Sequence, residues 1–364
     1  MGHIFSAFIG FVLLKALCIH ASMPEKDAFI DKKHLFSSSV KEGLTEAQFY
    51  KNKRVLYWGE NYQKALKNCK EAGKSLLIAF VGSEWCPWSQ KLQLDVLIKP
   101  DFIKILKNDF VFLWIEFPEN LSSTEKGEKE QLKEKYSIQE LPTLVLIDPD
   151  GEEMTKIGFM PFEAKEFAVY LIKLHEQFKE IKDCIENFNL KNCTFEELKD
   201  YYARADSFTN KDYREKILNV GLQIDEGSYF LLEKYAAFIK NGKIKDPEVL
   251  SLRKKITDSD PKNLDGVHLR LAMLDFQKLS SHIRKRDKPA AAIEPLLMYL
   301  KEFGQNDLEH VWQIEMTIAK YLFSKGLIQP ALEHAKESYK AAPEKIKRDI
   351  AQSIDYLEAQ NNVK

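Results

Sequence analysis

The residues Ser75-Leu-Leu-Ile-Ala-Phe-Val-Gly-Ser-Glu-Trp-Cys-Pro-Trp-Ser-Gln-Lys91 change character at Gly82. Before it lies a continuous apolar run bounded by Gly73 and Gly82, as suits a strand buried on both faces. After it, Trp85-Cys-Pro-Trp-Ser89 leads into Leu92, Leu94 and Leu97. We read this as a strand, a tight loop and a helix starting near Cys86. Pro87 fits the first helical turn, where a missing N–H costs nothing.

Upstream, Tyr62, Ala65, Leu66 and Cys69 follow the three-and-four spacing of a helix, and Gly73 stops it as a terminal glycine does. Val55-Leu-Tyr-Trp58 reads as a short strand. Downstream, the expected elements are a short helix over 101–106, a buried strand over 110–117 and a charged helix over 119–137. A strand over 144–147, a turn at Asp148-Pro-Asp-Gly151, a hairpin partner over 154–160 and a long amphipathic helix from Phe162 to about Lys182 complete the region. Strands alternate with helices and then close in a hairpin, which predicts a mixed sheet flanked by helices.

Trp85-Cys-Pro-Trp-Ser89, between strand and helix, resembles the active-site motif of the thioredoxin family. Leu141-Pro142-Thr143, just before a strand, resembles that family's cis-proline loop. Trp58, Ala65, Ala72-Gly-Lys74 and the Asp148-Pro-Asp-Gly151 turn are similar to a subgroup found in exported bacterial proteins. The resemblance spans about residues 50–182 and implies an α/β thioredoxin-like fold. It implies Cys86 as nucleophile and Pro142 as the cis-proline flanked by Leu141 and Thr143. It also implies substrate contact from Trp85, Pro87 and Trp88 around the thiol. No cofactor and no metal is expected.

A cysteine at a helix start faces unpaired N–H groups and the positive end of the helix dipole, which favour the thiolate. Thiolate is the attacking species in disulfide exchange. Two departures from the family pattern stand out. Ser89 occupies the position of the second cysteine, so the chain cannot resolve a mixed disulfide from within; its hydroxyl could still hydrogen-bond Cys86. The strand Ile78-Ala-Phe-Val81 lacks the buried carboxylate that the family uses as a proton relay. Cys69, on another helix, is expected in the core.

The N-terminal Ile4–Ala21 run is apolar apart from Ser6, Lys15 and His20, as in a signal peptide; a retained membrane anchor is the alternative. Residues 1–22 are read as that segment, 23–49 as a linker, 50–182 as the thioredoxin-like domain and 184–364 as an all-α domain. Export, together with the subgroup resemblance, implies the periplasm or another extracytoplasmic space of a bacterium, with the chain free or anchored facing the periplasm. Disulfides persist in such compartments. Cys184 and Cys193 could pair, or sit as small core residues.

Lys and Arg total 54 against 55 Asp and Glu, a net charge of −1. That balance excludes a global basic field for nucleic acid, and membrane contact is expected only through an uncleaved leader. In the second half, Ala319, Gly326, Ala331, Ser338 and Pro343 sit near the small-residue and proline positions of a tetratricopeptide repeat. Ala237, Val249 and Pro261 fit the same frame, and a third unit over 267–303 needs an insertion at 281–287. Stacked helical hairpins are expected, against an irregular helical bundle. Trp58, Trp114 and Trp312 read as core or interface aromatics. His175, His268 and His310 have no partner at a metal-binding spacing.

Two functions follow. One is a monothiol thiol–disulfide oxidoreductase or isomerase acting through Cys86 on exported client proteins with thiols or disulfides, with an external redox partner. The other is a non-catalytic thioredoxin-fold scaffold whose helical half binds proteins.

Overall fold

The structure, a computed structural model, describes residues 57–119, 123–224, 227–241, 246–282 and 289–362. The leader, the linker, Val55-Leu56 and most of the expected 281–287 insertion lie outside the described residues. Two compact units divide between His175 and Glu176.

The first unit runs α1 (Tyr62–Ala72), β1 (Ser75–Val81), α2 (Pro87–Leu92), α3 (Pro100–Leu106), β2 (Phe110–Glu116), α4 (Ser123–Lys135), β3 (Thr143–Ile147) and β4 (Glu153–Ile157). A π-helical turn, Gln93–Leu97, prolongs α2. The long α5 (Ala164–Glu186) follows. The sheet order is β2-β1-β3-β4. β1 and β2 are parallel, with Val81 opposite Glu116; β3 is antiparallel to both β1 and β4. Of the expected strand over 55–58, the described Tyr57 and Trp58 form no strand, and a parallel bridge next to them joins Gly59 to Leu113.

Local chemistry explains these boundaries. Asn61 caps α1 by accepting from the Lys64 amide at 2.8 Å, and Gly73 ends it at φ +62°. All seven residues of β1 are buried, as suits a strand packed on both faces. Asp148 Oδ1 accepts from the Asp150 and Glu152 amides at 3.0 and 2.8 Å, folding the β3–β4 turn. Trp58 and Trp114 are both buried, in edge-to-face contact at 5.5 Å, and Trp58 donates to the Leu97 carbonyl at 3.1 Å.

The second unit is helical throughout its described residues: α6 (Phe195–Ala205), α7 (Lys211–Gly221), α8 (Tyr229–Lys240), α9 (Pro247–Ser259), α10 (Val267–His282), α11 (Ala290–Phe303), α12 (Val311–Ser324), α13 (Ile328–Ala341) and α14 (Glu344–Asn362). Neighbours in sequence pack on one another, most closely α12 with α13. Ala319, Ala331 and Ser338 are buried, where small side chains let two helices approach. Ser338 Oγ donates to the Trp312 carbonyl at 2.6 Å. Gly326 turns the chain between these helices at φ +79°, a conformation that a Cβ disfavours.

Candidate functional site around Cys86

β1 delivers the chain to a loop at its C-terminal end, beside the end of the parallel β2. Cys86 is the N-cap of α2, with φ −89° and ψ 113°, and Pro87 takes the first helical position. The Cys86 amide donates to the Gly82 carbonyl at 2.7 Å, which closes the loop tightly. Cys86 as a residue is 7% exposed. Its Sγ lies 3.5 Å from the Leu141 carbonyl oxygen, and the Leu141–Pro142 peptide is cis. Residues 55 apart in sequence thus meet where β1 ends and β3 begins. Thr143 Oγ1 donates to the Glu140 carbonyl at 2.8 Å, fixing the turn before β3.

The other predicted residues divide by depth. Trp85 and Trp88 are exposed at 48% and 39%, and Pro87 is exposed beside them. Pro142 and Thr143 are buried and Leu141 half-buried. Trp85 Nε1 donates to the Phe117 carbonyl at 2.6 Å, and Trp88 packs on Phe159 at 4.8 Å between ring centroids. Both indoles are therefore held at fixed angles on the rim around the thiol.

Ser89 is fully buried. Its oxygen accepts the Gly82 amide proton at 3.1 Å. This bond uses the hydroxyl as an acceptor and leaves its proton unassigned with respect to Cys86.

Several residues of the site carry no motif. Gly82 lies beneath the Trp85 ring: a Cβ there would come within 2.7 Å of the indole, so the glycine admits the ring. Glu116, at the end of β2, accepts from the Ser83 amide and hydroxyl, each at 2.6 Å, and from Trp114 Nε1 at 2.8 Å. β1 does lack a carboxylate, but β2 brings one to the same loop by parallel pairing. Its signal in the sequence is a single acid in the apolar run Phe110-Val-Phe-Leu-Trp-Ile-Glu-Phe117. Cys69 is buried in the core with Ile78, Leu113 and Val145, and burial pushes its thiol up to about 11.

A cysteine capping a helix after a central strand, opposed by a cis-proline loop, defines a thioredoxin-fold protein. A thioredoxin-like domain family matches residues 62–184. "Disulfide bond reductase DsbH" of Chlamydia pneumoniae is 33% identical over 126 residues, covering 34% of this chain and 74% of the relative. The chain belongs to the thioredoxin-like family. "Thioredoxin-related protein DsbJ" of the same organism is 29% identical over 324 residues, 87% of this chain and 91% of the relative, so that likeness takes in most of the helical half. Among solved structures, "DsbH Oxidoreductase" is 25% identical over 33% of this chain and 83% of its own, at a TM-score of 0.31. A thioredoxin from Thermus thermophilus is 18% identical over 36% and 95%, at a TM-score of 0.28.

Proposed function

We propose that this chain is an extracytoplasmic monothiol thiol–disulfide oxidoreductase or isomerase acting on protein disulfides. The observation that carries the reading is the placement of Cys86 Sγ at a helix N-cap, 3.5 Å from the Leu141 carbonyl of the cis-proline loop. The names of the two relatives, one thioredoxin-related and one a disulfide bond reductase, add support. Among the described residues no helix is long and apolar enough to cross a membrane; the export reading rests on the sequence of residues 1–22.

Cys86, as thiolate, attacks one sulfur of a client disulfide. The S–S bond breaks, a Cys86–client bond forms, and the other client sulfur leaves as a thiolate that takes up a proton. Cys86 presents its sulfur at the start of α2, while Trp85 and Trp88 offer apolar surface to the flanking client chain. Ser89 has no sulfur with which to close the cycle. A second client thiol, or an external thiol, attacks the mixed disulfide, and Cys86 leaves as thiolate. With a client thiol the net reaction is isomerisation, with no change in oxidation state.

The test is recovery of a scrambled, disulfide-bonded protein in a glutathione buffer. The full chain accelerates recovery, Cys86→Ser does not, and the native chain forms a client adduct that reductant releases. If native and Cys86→Ser chains perform alike, the scaffold reading replaces this one. That alternative is favoured by one feature, the burial of Ser89 where a resolving thiol would stand.

A further inference from the structure

The helical unit holds a pair of sulfurs apart from the single thiol of Cys86. Cys184 lies in the last turn of α5 and is buried; Cys193 follows the 3-10 turn Leu190–Asn192 and is half-buried. Their Sγ atoms are 3.2 Å apart. Both cysteines sit on anchored backbone. Asn189 caps the 3-10 turn by accepting from the Lys191 amide at 3.0 Å. Thr194, next to Cys193, opens α6 with a reciprocal capping box to Glu197. A disulfide needs its sulfurs about 2.05 Å apart, so the two sulfurs must close by about 1 Å to bond.

We propose that Cys184 and Cys193 form a second thiol–disulfide site, oxidised to an intramolecular bond by a small disulfide of the glutathione class. Cys193 is the more accessible, and a compact oxidant suits a half-buried thiol. Its thiolate attacks one sulfur of the oxidant, whose S–S bond breaks and releases one small thiolate, which is then protonated. Cys184 loses its proton and attacks the Cys193 sulfur of the mixed disulfide. The Cys184–Cys193 bond forms and the second small thiolate leaves. Two protein thiols are oxidised and one small disulfide is reduced to two thiols. Burial, with Cys193 beside it, pushes the Cys184 thiol up to about 12, which fits it to the second step. The bond ties the end of α5 to the entry of α6.

The site is independent of Cys86, so the experiment uses both the native full chain and Cys86→Ser. Each is incubated with oxidised glutathione, alkylated and digested with trypsin without reduction. Lys182, Lys191 and Lys199 place the two cysteines on separate peptides, 183–191 and 192–199. The expected result in both chains is one linked pair of these peptides, lighter by two hydrogens than their sum. In Cys184→Ser, glutathione stays on Cys193. Recovery of the two peptides separately alkylated, or of a lasting glutathione adduct on Cys193 in the native chain, overturns the proposal whatever Cys86 does.

Discussion

Position 89 differs from a resolving cysteine by one atom, and its surroundings are already built. The side chain is fully buried and its oxygen is engaged by the Gly82 amide. Sulfur is larger than oxygen and a weaker acceptor, so Ser89→Cys loosens that bond. It also supplies the thiol that completes a two-cysteine cycle. The expected outcome is a gain of dithiol-driven disulfide reduction, at least tenfold over the native chain in an insulin-turbidity assay, lost again on adding Cys86→Ser. Glu116 acts at the same scale by structure. Its carboxylate satisfies three part-buried donors around the loop, and leaving donors sheltered from water unmet costs about 1–3 kcal/mol. Glu116→Ala lowers stability by about 2 kcal/mol on that footing, read as a shifted urea midpoint.

At the scale of elements, two glycines hold packing in place for opposite reasons. Gly82 yields space to the Trp85 ring; Gly82→Ala displaces the indole and lengthens its bond to the Phe117 carbonyl, seen as a change in tryptophan fluorescence. Gly326 lies open, with no heavy atom near a Cβ, but sits at φ +79°. Gly326→Ala therefore costs about 1 kcal/mol through backbone strain alone, measured by chemical denaturation. The sheet and its helices were legible because buried strands write themselves as apolar runs between glycines, as at Ser75–Val81, and because Pro87 and Pro142 mark a helix start and a strand approach. Glu116 was less legible: it lies 33 residues from Ser83, and only the parallel register of β1 with β2 puts them together. The inward turn of Ser89 was hidden too, since its partner is a backbone amide that carries no sequence signal. In the helical half, small residues at Ala319, Ala331 and Ser338 mark the closest helix contact, α12 on α13.

The whole molecule carries buried thiols in both of its compact units, and they couple stability to alkaline pH. Cys69 titrates near 9 when exposed and is pushed up to about 11 by burial. The folded state therefore holds its proton more tightly than the unfolded chain. Stability from the buried neutral thiol is intact below about pH 9 and is lost as pH rises through about 11. Cys69→Ala should flatten the fall in stability between those values by on the order of 2 kcal/mol, in denaturation curves recorded at pH 8, 9, 10 and 11.

The sealed hydroxyl at position 89 also has a meaning in time. On the monothiol reading, a two-sulfur site keeps its own clock, because the second thiol ends each encounter at a rate written into the protein. With oxygen there, the chain surrenders that clock. How long it stays joined to a client is set by the thiols that the surroundings supply, so the lifetime of the complex becomes a readout of the compartment.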